Sequence, residues 1–273
     1  MKRRRQRVQF TREVAGWYDL YRRTFYNYKS DARIASSILE YYMPETNRIL
    51  EIGIGTGSFA IEMAKLGYVV DGVDNSPAMR HIARKKIEEN GFKEFINLGS
   101  ERCETMDLTQ EKKFSSPYSA IISHGLFYFI DSIRGDPYLD FTSYVVGRDN
   151  INKAFRKISD HLTQDGLLLL NMINDYNPLR GKRDFLDLGE GGIWEVKTDP
   201  KKYDENGEGG ELINTYENKR NGDTFEYKFI KSLFRKEDID HDLVETGFEF
   251  VEERLDSAGK RGFYVVRKKM KSA

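Results

Sequence analysis

Cysteine is nearly missing from this chain: Cys103 is the only one among 273 residues. An intramolecular disulfide and a cysteine-rich zinc site are therefore excluded. Histidine is scarce too, with four residues, and no metal-ligand spacing occurs. Net charge is absent as well, because 44 Lys and Arg balance 44 Asp and Glu. No global field draws such a chain to nucleic acid or to a membrane surface. No apolar run approaches the roughly 20 residues needed to span a bilayer. Lys2, Arg3, Arg4, Arg5 and Arg7 make a basic N-terminus, but the apolar segment of a secretory signal does not follow. The expectation is a soluble, cytoplasmic protein with no metal and no membrane partner. The basic head is either a phosphate contact or a solvated tail. Internal repeats are lacking. Hydrophobic residues at 39% and aromatics at 13% suffice for the core of one large α/β domain with an insertion.

The most informative stretch is Ile49-Leu50-Glu51-Ile52-Gly53-Ile54-Gly55-Thr56-Gly57-Ser58. Apolar residues run into an acid and then into three alternating glycines. Phe59, Ile61, Met63, Ala64 and Leu66 follow at helical spacing. This predicts a buried strand, a tight turn and a helix, with glycines where a ligand approaches the backbone. A second strand, Tyr68 to Val73, is apolar apart from Asp71 and runs into Asp74. Asp74 lies about twenty residues beyond the turn, where an α/β nucleotide site sets an acid on ribose hydroxyls. Ser76 and Pro77 then form an N-cap and first-turn pair opening another helix.

The third glycine falls one residue early for a dinucleotide site, which wants G-x-G-x-x-G. The E-x-G-x-G-x-G form instead resembles motif I of the class I S-adenosylmethionine-dependent methyltransferases. Arg48 to Lys86 as a whole is similar to their core, and Tyr18-Asp19-Leu20-Tyr21 resembles the Y-D-x-x-Y segment of the small-molecule, sarcosine and amino-sugar type. The resemblance implies a Rossmann-like, doubly wound α/β sheet with a closing β-hairpin and an antiparallel β lid insertion. It divides the chain into an N-terminal helical cap (1–45), a core (46–175), a lid (176–233) and a core completion (234–273). It implies S-adenosyl-L-methionine as cofactor, held by Tyr18, Glu51, Gly53, Gly55, Gly57, Asp74, Asn75, Glu104, Thr105 and His124.

Two alignments compete for the adenine segment. Gly99-Ser100 has the glycine without the acid, whereas Cys103-Glu104-Thr105-Met106-Asp107-Leu108 has the acid and leucine without the glycine. The second is preferred because its distance to the next strand fits better. That strand, Tyr118 to Ser123, ends at His124. His124 is read either as a base or hydrogen-bond acceptor for the nucleophile of the methyl acceptor, or as a histidine bonded to backbone beneath the cofactor. Tyr18 is the other catalytic candidate.

Further along, Asp131 to Asn150 reads as a substrate loop or a surface insertion, carrying Arg134, Asp136-Pro137-Tyr138 and Tyr144. Glycines at Gly189 to Gly192 and Asn206 to Gly210, and the Asn221-Gly222 turn, mark hairpins in the insertion. Ser30 reads as the cap of an amphipathic helix from Asp31 to Met43. The nucleic-acid amino-methyltransferase signature is replaced by Ser123-His124-Gly125-Leu126. The favoured function is N-methylation of a small-molecule amine. An RNA or protein methyltransferase, or a catalytically silent binding protein, is the alternative.

Overall fold

A computed structural model of the chain describes residues 15, 18–19, 22, 26–108, 113–131, 139–145, 147–173, 184–187, 193–201, 210–218, 222 and 224–270. The expectations on the basic head, Trp17, Tyr21, Arg134 to Tyr138, Gly189 to Gly192, residues 206–209 and Asn221 lie outside them.

In chain order the helices are α1 (Tyr28–Tyr42), α2 (Ser58–Lys65), α3 (Pro77–Glu89), α4 (Arg148–Asp160) and α5 (Lys236–Glu245). The strands of the central sheet are β1 (Arg48–Ile52), β2 (Val69–Val73), β3 (Ile96–Gly99), β4 (Tyr118–Asp131), β6 (Leu162–Ile173), β11 (Phe248–Leu255) and β12 (Arg261–Lys268). They lie in the order β3–β2–β1–β4–β6–β12–β11. The first five are parallel, and the β11–β12 hairpin adds antiparallel to β6. This is the expected doubly wound α/β sheet with its closing hairpin.

The apolar runs of β1, β4 and β6 follow from burial on both faces. Ile49, Ile122, Leu167 and Leu169 pack with α1 and α2 on one side, and Leu50, Ile121, Leu168 and Leu170 pack with α4 and α5 on the other. Helix α3 starts as its sequence predicts, with Ser76 Oγ accepting from Met79 N at 3.3 Å and Pro77 in the first turn. Helix α1 starts earlier than expected. Asn27 caps it by accepting from Ser30 N, so Ser30 is a donor to the cap.

Strand β4 is interrupted. Its pairing with β6 passes from Ser123↔Leu170 to Tyr128↔Asn171, leaving His124 to Phe127 unmatched. Ser123 Oγ accepts from Phe127 N at 2.9 Å and closes the bulge. Gly125 supplies the φ of 91° that the bend requires. Beyond the bulge β4 takes a new partner, β5 (Leu139–Ser143), from within the stretch expected to be a loop. Strands β7 (Asp184–Asp187), β8 (Ile193–Lys201), β9 (Gly210–Asn218) and β10 (Thr224–Arg235) then run as an antiparallel meander joined to β5 through β10. Among the described residues no helix is long and apolar enough to cross a membrane.

Asp71, the one acid inside β2, is fully buried. Arg48 donates to it from Nε and Nη2, each at 2.9 Å, Asn97 Nδ2 at 2.7 Å, Tyr118 OH at 2.6 Å and Ser115 N at 3.3 Å. One carboxylate thus ties β1, β2, β3 and the entry to β4. Burial first, and then the bond to Asp71, pushes the Tyr118 phenol far up. Removing one partner of such a network leaves the others unsatisfied. We expect Asp71→Ala to lower the unfolding free energy by about 3 kcal/mol, and Tyr118→Phe by about 1 kcal/mol, as read from urea denaturation. A Tyr118→Phe variant with the parent's midpoint would show that the phenol contributes nothing.

Candidate active site

The turn after β1 is shaped by backbone conformation and by one carboxylate. Gly53 and Gly55 have φ of 72° and 56°, in the region that side chains disfavour. A Cβ on Gly53 would stand 2.7 Å from Leu126 Cβ, so the turn packs directly on the β4 bulge. Asp74, at the end of β2, accepts from Gly55 N at 2.9 Å and from Ser76 N at 2.7 Å. Burial pushes its carboxyl up, against the pull of those two N–H groups and of Arg80. Glu51 is buried with its Oε2 unpartnered, and burial, then the neighbouring Asp74, pushes it well above the usual carboxylate range.

A cavity of about 1000 Å³, counting the space at its mouth, opens over this turn. The expected residues Tyr18, Gly53, Gly55, Asp74, Asn75 and Glu104 line it. Glu104 is fixed by Arg102 Nη1 at 3.7 Å and by the thiol of Cys103 at 3.4 Å. Cys103 also lines the cavity, and burial pushes its thiol well up. Leu126 and Tyr144 join the wall, along with Met79. Sequence reading missed Leu126 and Met79 as site residues, and had Tyr144 only as part of a stretch read as a substrate loop or a surface insertion. Met79 carried a signal, being on the first turn of α3 just beyond Asp74. Leu126 carried none, because only the bulge brings it there.

Four expected residues stand elsewhere. Gly57 caps α2 with φ of 77° and faces Ala83 of α3. Thr105 is exposed, next to the cavity-lining Glu104. Glu51 lies behind the turn and not on the cavity surface. His124 is the main correction. Its side chain points to the α1 face, with Nε2 hydrogen-bonded to Asp31 Oδ2 at 2.9 Å and both side chains at most 2% exposed. The imidazole stacks on Phe59, with centroids 4.4 Å apart, and meets Tyr26 at 4.8 Å. Only its neighbours Gly125 and Leu126 reach the cavity. A base for a methyl acceptor needs access to the acceptor, and this side chain has none. The other reading, a histidine bonded to backbone beneath the cofactor, differs in the partner, which is the side-chain carboxylate of Asp31.

Arg22 is a second missed residue. It is 4% exposed and lies over the Tyr18 and Tyr26 rings at 4.9 and 4.6 Å. Nη1 donates to Tyr26 OH at 2.7 Å and Nη2 to Tyr144 OH at 3.5 Å, while Nε is buried without a partner. Its partners among the described residues are tyrosines, so its charge faces no carboxylate there. Burial pushes the Tyr18 phenol up despite this cation, so Tyr18 stays a neutral hydroxyl.

Comparison with known proteins places these features in a family. A family model described as a methyltransferase domain matches residues 23–253. The carboxy-S-adenosyl-L-methionine synthase of Nautilia profundicola is 30% identical over 61% of this chain and 62% of its own. A putative methyltransferase of Geobacillus sp. is 29% identical over 52% of this chain and 49% of its own. The chain thus spans between about half and two thirds of these curated relatives. A solved S-adenosylmethionine-bound amino pentose methyltransferase of Micromonospora echinaspora, involved in calicheamicin biosynthesis, superposes with a TM-score of 0.68. It covers 97% of this chain and 100% of its own at 16% identity, which is a likeness of fold.

The residues present suit S-adenosylmethionine, a cation that also carries an amine and a carboxylate. Asp74 on the cavity wall, with the orphaned Glu51 oxygen behind the turn, favours positive charge, Arg22, which has no carboxylate partner among the described residues, favours a carboxylate, and Asp74 retains acceptor capacity for hydroxyls. Since the matching model spans most of the chain and the sheet, turn and strand-end acid all agree with it, the chain belongs to the methyltransferase-domain family and has its Rossmann-like fold.

Proposed function

We propose that the chain methylates a small-molecule amine. When bound, S-adenosylmethionine supplies a methyl group made electrophilic by its sulfonium. The chain's own residues then have to hold the acceptor in line and exclude water. The observation that carries the reading is the wall formed by Tyr18, Leu126 and Tyr144, with His124 turned away behind it. Neutral phenols orient an acceptor by hydrogen bonds but take up no proton at neutral pH. An amine that has already lost its proton needs only such orientation, whereas a hydroxyl acceptor benefits more from a base. The fold shared with an amino pentose methyltransferase supports the same class. The meander of β7 to β10 is proposed as a lid over the acceptor, and residues 1–45 as a cap over the cofactor.

A screen of amine, hydroxyl and carboxylate metabolites with labelled cofactor tests the acceptor. Transfer to amines is expected. Transfer confined to hydroxyls or carboxylates would overturn the amine, and cofactor binding with transfer to no small molecule would favour a macromolecular acceptor or a silent fold.

The cofactor assignment makes its own expectations. Gly55→Val should abolish binding by calorimetry, and Asp74→Ala should weaken it by about 1.5–3 kcal/mol. Glu51 gives a prediction in pH. Its folded-state carboxyl is raised, so its stability contribution is complete below the ordinary carboxylate range and is lost as pH rises through the folded value. The cofactor-free Glu51→Gln variant should therefore melt higher than the parent at pH 7, yet bind S-adenosylmethionine more weakly. A lower melting temperature there would contradict the buried charge.

For His124, Ala substitution should reduce stability and turnover together while the pH–rate profile keeps its shape. Loss of a rise in rate through the histidine range would restore the base role.

A further inference from the structure

The N-terminal segment that carries Tyr18 and Arg22 is fastened to the glycine turn by a polar cluster that does not line the cavity. Ala15, Tyr18, Asp19 and Arg22 are helical. Spacings of three and four put Ala15, Tyr18 and Arg22 on one stripe, with Asp19 beside it. Asp19 Oδ2 accepts from Lys86 Nζ at 2.8 Å, and its Oδ1 accepts from Ser58 Oγ at 3.2 Å and from Thr56 Oγ1. Lys86 Nζ also donates to Ser58 Oγ at 2.5 Å and to Thr56 Oγ1 at 3.4 Å.

Each member comes from a different part of the site. Thr56 is in the glycine turn, Ser58 opens α2, Lys86 lies in the last turn of α3, and Asp19 is adjacent to the cavity-lining Tyr18. A lysine near a helix C-terminus is ordinarily solvated and favours the dipole. This one is 23% exposed and reaches a carboxylate that is 19% exposed. The N-terminus of α2 has no side-chain cap, because Gly57 stands at its N-cap. Asp19, bonded to the Ser58 hydroxyl, brings negative charge to that end, where a helix favours it.

We propose that Lys86 is a positioning residue for the cofactor, acting through Asp19 to latch the Tyr18–Arg22 segment over the glycine turn. The latch rests on the reading that S-adenosylmethionine occupies the cavity. Without it the segment still folds against Tyr26 and Tyr144 through Arg22, but Tyr18 loses its fixed place beside Gly55, and bound cofactor leaves faster. The effect falls on retention of the cofactor and spares the chemical step.

The test compares the full-length parent with Lys86→Met, Asp19→Asn and the double variant, measuring the Kd of S-adenosylmethionine by calorimetry and its release by stopped-flow displacement. Each single change should raise Kd about tenfold through faster release, and the double should be no worse than the weaker single, as coupled residues require. Lys86→Arg should restore Kd to within about threefold, since it keeps the charge and the donors. With both substrates saturating, kcat should stay near the parent's while the cofactor KM rises. Lys85→Met removes an exposed neighbour paired with Glu89 and should change nothing. Additive losses in the double variant, or unchanged Kd in both singles, would overturn the latch. A loss of affinity in Lys86→Arg equal to that in Lys86→Met, with matched loss of melting temperature, would make the cluster structural and overturn it too. A parent that fails to bind S-adenosylmethionine would instead overturn the reading beneath it.

Discussion

Strand β4 pairs with three other strands, although a strand has only two edges. One edge is taken by β6 along most of its length. The other is shared in succession: β1 meets it at Ile121 and Ile122, and β5 takes over from Phe127 onward. The residues between, Ser123 to Leu126, pair with no strand on that edge, and there the chain bulges. The gap left along the edge is where the cavity opens. The glycine turn enters it from the end of β1, Gly125 and Leu126 from the bulge, and Tyr144 and Val145 from the end of β5. The close approach of Gly53 to Leu126 seals the floor. The position of the site therefore follows from how backbone hydrogen bonds are apportioned along one strand.

Charged groups stand close around the cavity. Two acids, one of them with an orphaned oxygen, lie at the turn, and a guanidinium surrounded by tyrosines lies on the opposite, N-terminal side. Among the described residues the Glu51 oxygen and the Arg22 Nε are uncompensated, and burying an unpaired charge is costly. A ligand carrying both signs relieves both ends, whereas a neutral ligand relieves neither. The same burial pushes the Tyr18 and Tyr26 phenols up and keeps them protonated.

Much of this was legible in the sequence because its physics is local. Positive φ needs glycine, a helix needs a cap, and Asp74 lies at the end of its own strand, so the turn, Asp74 and Ser76 could be read without knowing the fold. The β5 strand could not, since Leu139–Ser143 is a strand only because β4 and β10 lie on either side of it. Tyr144 and Arg22 join the site from segments distant in the chain for the same reason. His124 is different, because a usable signal was present. Side chains alternate along a strand. Ala120 and Ile122 face α1 and α2, so His124 shares their parity and was due to point at that face, where Asp31 and Phe59 wait. Reading the strand end as a mouth overlooked that count.

The way the meander is attached has a consequence for how such a protein can diverge. Strands β7 to β10 reach the sheet through β5 and the far half of β4, beyond the bulge. The glycine turn and Asp74 depend on β1, β2 and the near half of β4. Lineages could lengthen, shorten or resurface the meander without disturbing a single hydrogen bond of the cofactor turn. With the meander as the proposed lid, recognition of new acceptors and retention of the methyl donor would fall on separate stretches of one strand, and selection could act on the first while the second stays fixed.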